Sequence, residues 1–392
     1  MTRRVSALTA PVVACALAGC APHGVDGPPA AGPAAAPNVT CDGAAFLVSW
    51  IEGSPDAARL RLARHDGHAF DAPVTVAQDR PLLVNWADFP SFLALADGRV
   101  VAQWLERSPA ASFAYGVRIA ISADGGATWS APTRPHADEA AAEFGFVSLV
   151  ESARGLHAFW LDGREVDPAG QGRMSLRERT LREGGWGEER VLDADACTCC
   201  QTSAAAVPDG IVVAYRAHAG PLRDIAVLAL DEAGSAERRP FPADGWAVGG
   251  CPVNGPAIDA HGRQVAVAWY TEAAGTPRVL LALSSDGGRS FGAPLAVDDG
   301  AALGRVDLAL LPDDGIVVSW LEGPGPGEAA VRARLYTPDG TRRQDWTVGR
   351  TLGARTAGFP RLAACGDRIG VAWTVPGPPS TVRFSVLTPG AR

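Results

Sequence analysis

Short apolar runs recur along the chain, and each ends in a large aromatic residue followed by an acidic or polar segment. Seven such runs occur, at 46–50, 100–104, 156–160, 211–215, 265–269, 316–320 and 369–373. Their terminal aromatic residues are 54, 56, 55, 54, 51 and 53 residues apart. Continuous apolar runs of about five residues, bounded by turn-forming residues, are typical of buried β-strands. The pattern therefore predicts an all-β chain made of one repeated unit.

Each unit contains further strands around its aromatic run. In one unit the segment 306–310 precedes this run and 331–335 follows it. A period in the fifties with several short strands per unit predicts the blades of a β-propeller, each a four-stranded antiparallel sheet. Seven repeats within residues 38–392 predict seven blades. The last unit ends without a clear fourth strand, so we expect the N-terminal end of the chain to complete it.

Composition agrees with this fold and restricts the partners. The 392 residues include 45 Gly and 31 Pro, 47% of the chain is hydrophobic, and the formal net charge is −8. Frequent Gly and Pro suit many short strands separated by turns. An acidic chain without basic clusters argues against a nucleic-acid partner. We expect a monomer.

The first residues have the pattern of an export signal. Arg3 and Arg4 precede an apolar run at 5–18, which ends in Leu17-Ala-Gly-Cys20. This ending resembles the lipobox of bacterial lipoproteins. The resemblance implies a signal peptide at 1–19, acylation of Cys20 (palmitate), attachment to a membrane through this N-terminal lipid, and a location in the cell envelope. An ordinary cleaved signal peptide is the alternative. Residues 20–37 are rich in Ala, Pro and Gly and predict a flexible tether.

Two turns share the pattern S-x-D-x-G-x-[ST]-[WF], at 122–129 and 284–291. They resemble the Asp box (BNR repeat) of sialidase-like β-propellers. The resemblance implies a structural role for the residues that define the pattern and a fold related to the sialidases. Because sialidase propellers have six blades, six is the alternative to the count of seven. The pattern residues are Asp124, Gly126, Trp129, Asp286, Gly288 and Phe291.

The cysteines indicate one disulfide bridge and, separately, a cluster of four thiols. Cys41 and Cys365 lie in matching strands of the first and last units, which are neighbours in a closed ring, so a disulfide between them is expected. Four others precede the inner strands of the fourth and fifth units: Cys197, Cys199, Cys200 and Cys251. Connections at these positions lie on one face of a propeller. Three interpretations of this cluster are open. The cysteines could form disulfides, including Cys200–Cys251; they could bind zinc or copper(I); or Cys199 and Cys200 could have a redox role.

The same two units depart from the repeat after their aromatic residue. Arg216 and Tyr270 stand where five other units have apolar or small residues. A local break of a pattern often marks a functional site. We therefore expect a glycan or another envelope ligand on the channel face of these units. The candidate ligand-binding residues are Arg216, Arg223, Asn254, Arg305, Arg361 and Gln201.

Glycoside hydrolysis is the alternative function. The resemblance to sialidases implies a Tyr nucleophile paired with Glu, an Asp acid/base and three Arg that bind the substrate carboxylate, as planar guanidinium groups do well. Tyr270, Glu272 and Asp162 are the corresponding candidates, with Arg216, Arg305 and Arg361. A metal or thiol protein centred on the four cysteines is the second alternative.

Overall fold

Seven antiparallel sheets form the molecule, in the order in which their strands occur along the chain. A computed structural model describes residues 24–109, 114–137, 140–167 and 169–390. In each sheet the strands follow one another in sequence order, so that every blade is a meander from an inner to an outer strand. This confirms the predicted β-propeller with seven blades. Cys20 and the predicted signal peptide lie outside the described residues.

The first three blades use strands β1 to β12. The first contains β1 (Ala34–Cys41), β2 (Phe46–Glu52), β3 (Arg59–His65) and β4 (Val74–Ala77). The second contains β5 (Ser91–Ala94), β6 (Val100–Arg107) and β7 (Tyr115–Ser122). The third contains β8 (Phe144–Ser152), β9 (Gly155–Asp162), β10 (Met174–Arg182), β11 (Gly185–Trp186) and β12 (Arg190–Ala196), and both last strands pair with β10.

Strands β13 to β27 form the other four blades. The fourth contains β13 (Ser203–Val207), β14 (Gly210–Arg216), β15 (Ile225–Asp231) and β16 (Ala236–Arg239). The fifth contains β17 (Ala257–His261), β18 (Gln264–Thr271), β19 (Arg278–Ser284) and β20 (Leu295–Ala296). The sixth contains β21 (Ala302–Leu310), β22 (Ile316–Glu322), β23 (Glu328–Tyr336) and β24 (Arg342–Leu352). A 3₁₀ turn (Arg355–Ala357) leads to the seventh, with β25 (Arg361–Cys365), β26 (Arg368–Val375) and β27 (Thr381–Leu387).

The N-terminal end of the described chain completes the seventh blade. Asp26 and Phe384 exchange two backbone hydrogen bonds, of 2.9 and 2.7 Å. The chain then enters the first blade, and Ala34 donates its backbone N–H to Ser380 at 3.0 Å. A disulfide joins Cys41 in β1 to Cys365 in β25. The predicted closure from the N-terminus and the predicted disulfide are both confirmed.

The repeated aromatic residues pack between blades and are anchored by the acidic residue that follows. Trp50, Trp104, Trp160 and Trp320 are buried, and each indole N–H donates to a carboxylate two residues later. A buried indole N–H needs an acceptor, since leaving it unpaired costs about 1–3 kcal/mol. The acid that follows these four Trp residues is thus a packing feature. These acids are Glu52, Glu106, Asp162 and Glu322.

Side chains around the central channel bond each blade to the next. Asn38 accepts the backbone N–H of Phe92 at 3.3 Å, and Asp259 accepts that of Leu310 at 2.8 Å. The same kind of contact joins the sixth blade to the seventh, where Asp307 accepts Leu362 N–H at 2.8 Å. These bonds hold the inner strands together in a ring. The part of the chain that the structure describes contains no helix long and apolar enough to cross a membrane.

The two turns with the shared sequence pattern have the same hydrogen bonds. Asp124 accepts the backbone N–H and the hydroxyl of Thr128, at 2.8 and 2.6 Å. Asp286 accepts the same two groups of Ser290, at 3.0 and 2.6 Å. These bonds lower the pKa of Asp124 to about 2. Both turns follow the third strand of their blades, away from the face that carries the cysteines.

Candidate functional site on the connector face

One face of the propeller carries most of the residues singled out in the sequence. It contains the segments that lead into the inner strands and the loops that follow the second strands. We call it the connector face. Two features lie on it: a cluster of cysteines at the fourth and fifth blades, and a groove between the seventh, first and second blades.

The cysteine cluster forms in a tight turn before β13. The sulfur atoms of Cys197, Cys199 and Cys200 all lie within 4.8 Å of one another, and those of Cys197 and Cys200 are 3.6 Å apart. Cys251, from the next connector, has its sulfur 3.5 Å from the Thr198 hydroxyl. All four are free thiols, so the bridge expected between Cys200 and Cys251 is not formed. The predicted proximity of these four cysteines agrees with this geometry.

The environment of the thiols favours negative charge at two of them. Hydrogen bonds from Cys199 and Cys200 lower the pKa of Cys197, and Arg216 acts in the same direction. A hydrogen bond from Cys199 lowers the pKa of Cys251, to which Arg223 also contributes. Burial raises the pKa of Cys200. Positive charge from two guanidinium groups stabilises thiolates, and the thiolate is the form of Cys that acts as a nucleophile or metal ligand.

Arg216 connects the two cysteine-bearing segments. Its carbonyl accepts the Cys197 N–H at 2.9 Å. Its guanidinium, almost completely buried, donates twice to the carbonyl of Asn254, at 3.0 and 2.8 Å, and once to that of Tyr270, at 2.8 Å. Since Asn254 is three residues from Cys251, this side chain fixes one cysteine segment relative to the other. The unusual Arg after the repeat aromatic thus has a positioning role.

Gln201 brings the same segments into direct contact. Its amide oxygen accepts the Gly255 N–H at 2.9 Å, and its amide nitrogen donates to the carbonyl of Ala87 in the second blade. A Cβ at position 255 would lie 2.2 Å from the backbone oxygen of Gln201, so only Gly permits this approach. Both ends of the Gln201 amide are therefore occupied by backbone groups.

Tyr270 and Glu272 form a pair at the edge of this region. The Tyr270 hydroxyl donates to the Glu272 carboxylate, and the Tyr270 ring packs edge-on against Trp246 with centroids 5.7 Å apart. Only 6% of Tyr270 is exposed, and its burial together with Glu272 raises the pKa of the phenol. The predicted Tyr–Glu contact is present, with the phenol held in its protonated form.

Three other candidate residues, of the hydrolase or the ligand-binding set, have partners within the protein. Asp162 is completely buried and accepts hydrogen bonds from Trp160 and Arg164, the latter at 2.8 and 2.6 Å. Arg361 lies 3.1 Å from the Asp307 carboxylate. Arg223 donates to the carbonyls of Gly220 and Leu222. The structure therefore gives each of these side chains a structural contact.

Arg305 supports the wall of the groove. Its guanidinium donates to the carbonyls of Gly353, Ala354 and Gly358, at 2.9 to 3.0 Å, which surround the 3₁₀ turn. Burial lowers its pKa to about 10. The guanidinium also packs 5.2 Å from the ring of Trp86. Arg305 therefore fixes the turn and the aromatic ring relative to one another.

The groove encloses about 470 Å³ and has Trp86 in its wall. Trp86 stacks on Phe359 with centroids 6.0 Å apart, and the exposed guanidinium of Arg355 lies 5.6 Å from its ring. Thr374 is also among the lining residues, and its hydroxyl oxygen, buried beneath the surface, has no hydrogen-bond partner among the described residues. Sequence reasoning missed this groove, because its residues come from four separate segments. The remaining lining residues include Ala35, Ala36, Val84, Asn85, Thr356, Pro376 and Ser380.

A smaller cavity of about 170 Å³ lies in the central channel. Asp88, Gln201 and Arg361 are among its lining residues. Asp88 is almost completely buried, and burial raises its pKa to about 7. The channel thus contains a carboxyl group that is substantially protonated near neutral pH.

Comparison with known proteins shows the fold. No protein-family model and no curated protein sequence matches the chain. Among solved structures, a protein of unknown function from Dyadobacter fermentans has a TM-score of 0.56 at 16% identity, covering 94% of this chain and 100% of that one. An ulvan lyase of family PL25, bound to -[GlcA(1-4)Rha3S]-, has a TM-score of 0.55 at 12% identity, with coverages of 93% and 96%. The endosialidase of phage phi92 has a TM-score of 0.53 at 9% identity, with coverages of 94% and 70%.

Proposed function

We propose that the chain is a glycan-binding propeller, and that the groove around Trp86 binds a glycan containing acidic sugars. The observation that carries the proposal is the exposed Arg355 guanidinium beside the Trp86 ring. An aromatic ring offers an apolar surface to the face of a sugar. A guanidinium binds a carboxylate with two parallel hydrogen bonds. A uronate or sialic acid residue would engage both groups.

Thr374 places an unpartnered hydroxyl beside this groove, just beneath its surface. Buried polar atoms in folded proteins nearly always have partners, so this hydroxyl is available for a ligand that reaches it. A sugar hydroxyl provides both a donor and an acceptor. Two proteins of similar fold support the same ligand class: the ulvan lyase is bound to -[GlcA(1-4)Rha3S]-, and the phage phi92 protein is an endosialidase.

The proposed site is on the face predicted from the sequence but at different blades. The fourth and fifth blades, where a ligand was expected, carry the cysteine cluster. There, the side chains of Arg216 and Gln201 bind backbone groups. The side chain of Asn254 does the same, since its Oδ1 accepts the backbone N–H of Arg305 at 2.7 Å. The Trp86 groove instead has a half-buried ring, an exposed cation and an unpartnered hydroxyl.

A glycan array tests this function with the purified full chain. We expect acidic glycans to bind and Trp86→Ala to reduce their affinity at least about tenfold, as truncation of a central aromatic residue does. Trp186→Ala is the matched control, because this half-buried Trp lies in β11 at the outer edge of the third blade. Absence of binding to every glycan, or equal loss in both variants, would contradict the proposal.

The Tyr270–Glu272 pair favours a glycoside hydrolase as the second candidate function. Glu272 accepts the phenol proton as Tyr270 attacks the anomeric carbon. The glycosidic C–O bond breaks, the leaving oxygen takes a proton from water, and a second water then hydrolyses the bond between Tyr270 and the sugar and returns the proton to the phenol. Release of reducing sugar or free sialic acid from the glycans that bind would be the measurement. Loss of product formation in Tyr270→Phe with unchanged binding would establish this function, and absence of product in the wild type would exclude it for those glycans.

We also propose that Cys20 is acylated and places the propeller on a membrane surface in the cell envelope. The motif Leu17-Ala-Gly-Cys20 supports this, because two or more acyl chains give stable anchoring. Metabolic labelling with a palmitate analogue is the test. We expect label in the wild type and none in Cys20→Ser. Labelling of the Ser variant, or its continued fractionation with membranes, would contradict the anchor.

A further inference from the structure

We propose that Cys197, Cys199, Cys200 and Cys251 bind one thiophilic d¹⁰ cation, Zn²⁺ or Cu⁺, on the connector face. This site is separate from the Trp86 groove and does not depend on the glycan proposal. Both ions take thiolate ligands and impose little geometry of their own. The structure supplies a compact sulfur cluster, a charge balance and a rigid support.

Sulfur spacing is the first argument. Two thiolates on one tetrahedral ion with bonds of about 2.3 Å lie about 3.8 Å apart. The Cys197 and Cys200 sulfur atoms are 3.6 Å apart, and Cys199 lies within 4.8 Å of both. A disulfide would need about 2.05 Å. The three sulfur atoms of this turn therefore have a spacing close to that of three ligands around a single metal ion.

Cys251 completes the site from the neighbouring blade. Its sulfur lies 3.5 Å from the hydroxyl of Thr198, in the middle of the same turn, and outside the group of three sulfur atoms that lie within 4.8 Å of one another, so binding of the ion brings it toward the other three. It is the exposed member of the cluster, whereas Cys197 and Cys200 are buried. A fourth ligand at the solvent side leaves a path by which the ion can enter.

Charge supports a bound ion. Four thiolates with Zn²⁺, or three with Cu⁺, carry a net charge of −2. Arg216 and Arg223 lie beside the cysteine segments, because Arg216 bonds Cys197 through its carbonyl, and Asn254 and the Arg223 carbonyl through its guanidinium; together the two side chains carry +2. A buried anionic complex is costly unless it is paired in this way. Arg216 therefore serves this site both by its charge and by its contacts.

The backbone holds Cys251 in place at an energetic cost. Val253 has φ +49°, a conformation that β-branched residues rarely adopt and that costs on the order of 1 kcal/mol or more. Contacts at the next two residues maintain it: Arg216 donates to the Asn254 carbonyl, and the Gly255 N–H donates to the Gln201 amide oxygen. Strained backbone that its surroundings enforce is common where ligands are held.

The test begins with the full chain, purified anaerobically without chelators. We expect one zinc or copper ion per chain by elemental analysis. Alkylation before and after metal removal should show thiols that become accessible only without the metal, four of them for Zn²⁺ and three for Cu⁺. Titration of the reduced, metal-free protein against a chromophoric zinc chelator and against bicinchoninate for Cu⁺ identifies the preferred ion. Cobalt(II) substitution should give the intense spectrum of thiolate coordination, which does not depend on any activity.

Variants distinguish a ligand from a structural thiol. We expect Cys199→Ser and Cys251→Ser to lower the affinity for Zn²⁺ at least about 100-fold, since removal of outer-shell partners alone costs 10–100-fold. If Cu⁺ is the ion, Cys251→Ser should have the smaller effect. The double variant Cys41→Ser/Cys365→Ser removes two cysteines elsewhere and should retain one ion per chain.

Three outcomes would overturn the proposal. One is disulfides among the four cysteines in acid-quenched cell extracts. Another is a reduced protein that binds neither ion. The third is unchanged affinity in both Cys199→Ser and Cys251→Ser while circular dichroism shows a native fold. Failure of glycan binding would leave this proposal intact, because the two sites have different residues and different measurements.

Discussion

Asp88 Oδ1 accepts a hydrogen bond of 2.8 Å from the backbone N–H of Phe146, and this contact joins the second blade to the third. Asn38, Asp259 and Asp307 make equivalent contacts between other pairs of blades. The central channel is therefore lined by carboxyl groups that are part of the scaffold. Their burial raises the pKa of Asp88 to about 7 and that of Asp259 to about 6.

This burial predicts a stability that falls as the pH rises. The pKa of an Asp in the unfolded chain is about 3.9. Between about pH 4 and 7 the folded protein therefore holds a proton on Asp88 that the unfolded chain has lost, so the free energy of unfolding decreases as pH rises through this window. Asp88→Asn keeps the acceptor for Phe146 and cannot ionise. We expect it to reduce this decrease, as measured by urea unfolding at several pH values.

Asp259→Asn should have a similar effect over a narrower window, ending near pH 6. Asp286→Asn is a suitable control, because the bonds to Ser290 lower the pKa of this half-buried Asp. Its contribution to stability is lost only as the pH falls below about 4. An unchanged pH dependence in Asp88→Asn would contradict the assignment of a proton to this carboxyl group.

Removal of the Cys41–Cys365 disulfide should destabilise the closed ring. This bridge joins strands 324 residues apart in the sequence, so it removes much conformational freedom from the unfolded chain. We expect Cys41→Ser/Cys365→Ser to lower the free energy of unfolding by about 2–5 kcal/mol. Thermal unfolding with and without reductant is the measurement. The double variant should lose its sensitivity to reductant, and a wild type as stable with reductant as without it would contradict this role.

Asp162 should be more important for stability than for catalysis. It is completely buried and pairs with Arg164 and the Trp160 indole. Asp162→Ala leaves buried donors and a cation without their partner, which costs about 3–5 kcal/mol. Glu322→Ala is the matched control, since this acid makes the same contact with Trp320 but is partly exposed. We expect Glu322→Ala to cost about 1 kcal/mol. Equal losses in chemical denaturation would contradict the role of burial.

Much of the fold could be predicted because the regular spacing of large aromatic residues indicates the repeat. The seven aromatics from Trp50 to Trp373 define seven blades, and the missing outer strand at the C-terminal end predicted closure by the N-terminus. Cys41 and Cys365 were identifiable as a pair because they hold matching positions in units that a closed ring makes neighbours.

The candidate sites were less predictable, because they depend on the direction in which each side chain points, which the sequence does not show. Arg216, Arg305 and Gln201 were predicted as candidate ligand-binding residues, but the sequence does not show that their polar groups bind backbone carbonyls and N–H groups. The Trp86 groove has no repeat signature. Its walls come from the connectors of three blades and from a loop after β26, and only the closed ring brings them together.

Calorimetric binding to an acidic oligosaccharide and to its neutral, carboxyl-reduced counterpart tests the proposed site most directly. We predict that wild-type protein binds the acidic form more tightly and that Arg355→Gln removes this preference, lowering its affinity for the acidic form about tenfold, or 1.4 kcal/mol, while leaving that for the neutral form unchanged. Arg289→Gln, an exposed Arg in the turn after β19 on the opposite face, is the control. Equal binding of both oligosaccharides to wild type, or a preference that survives Arg355→Gln, would contradict the account.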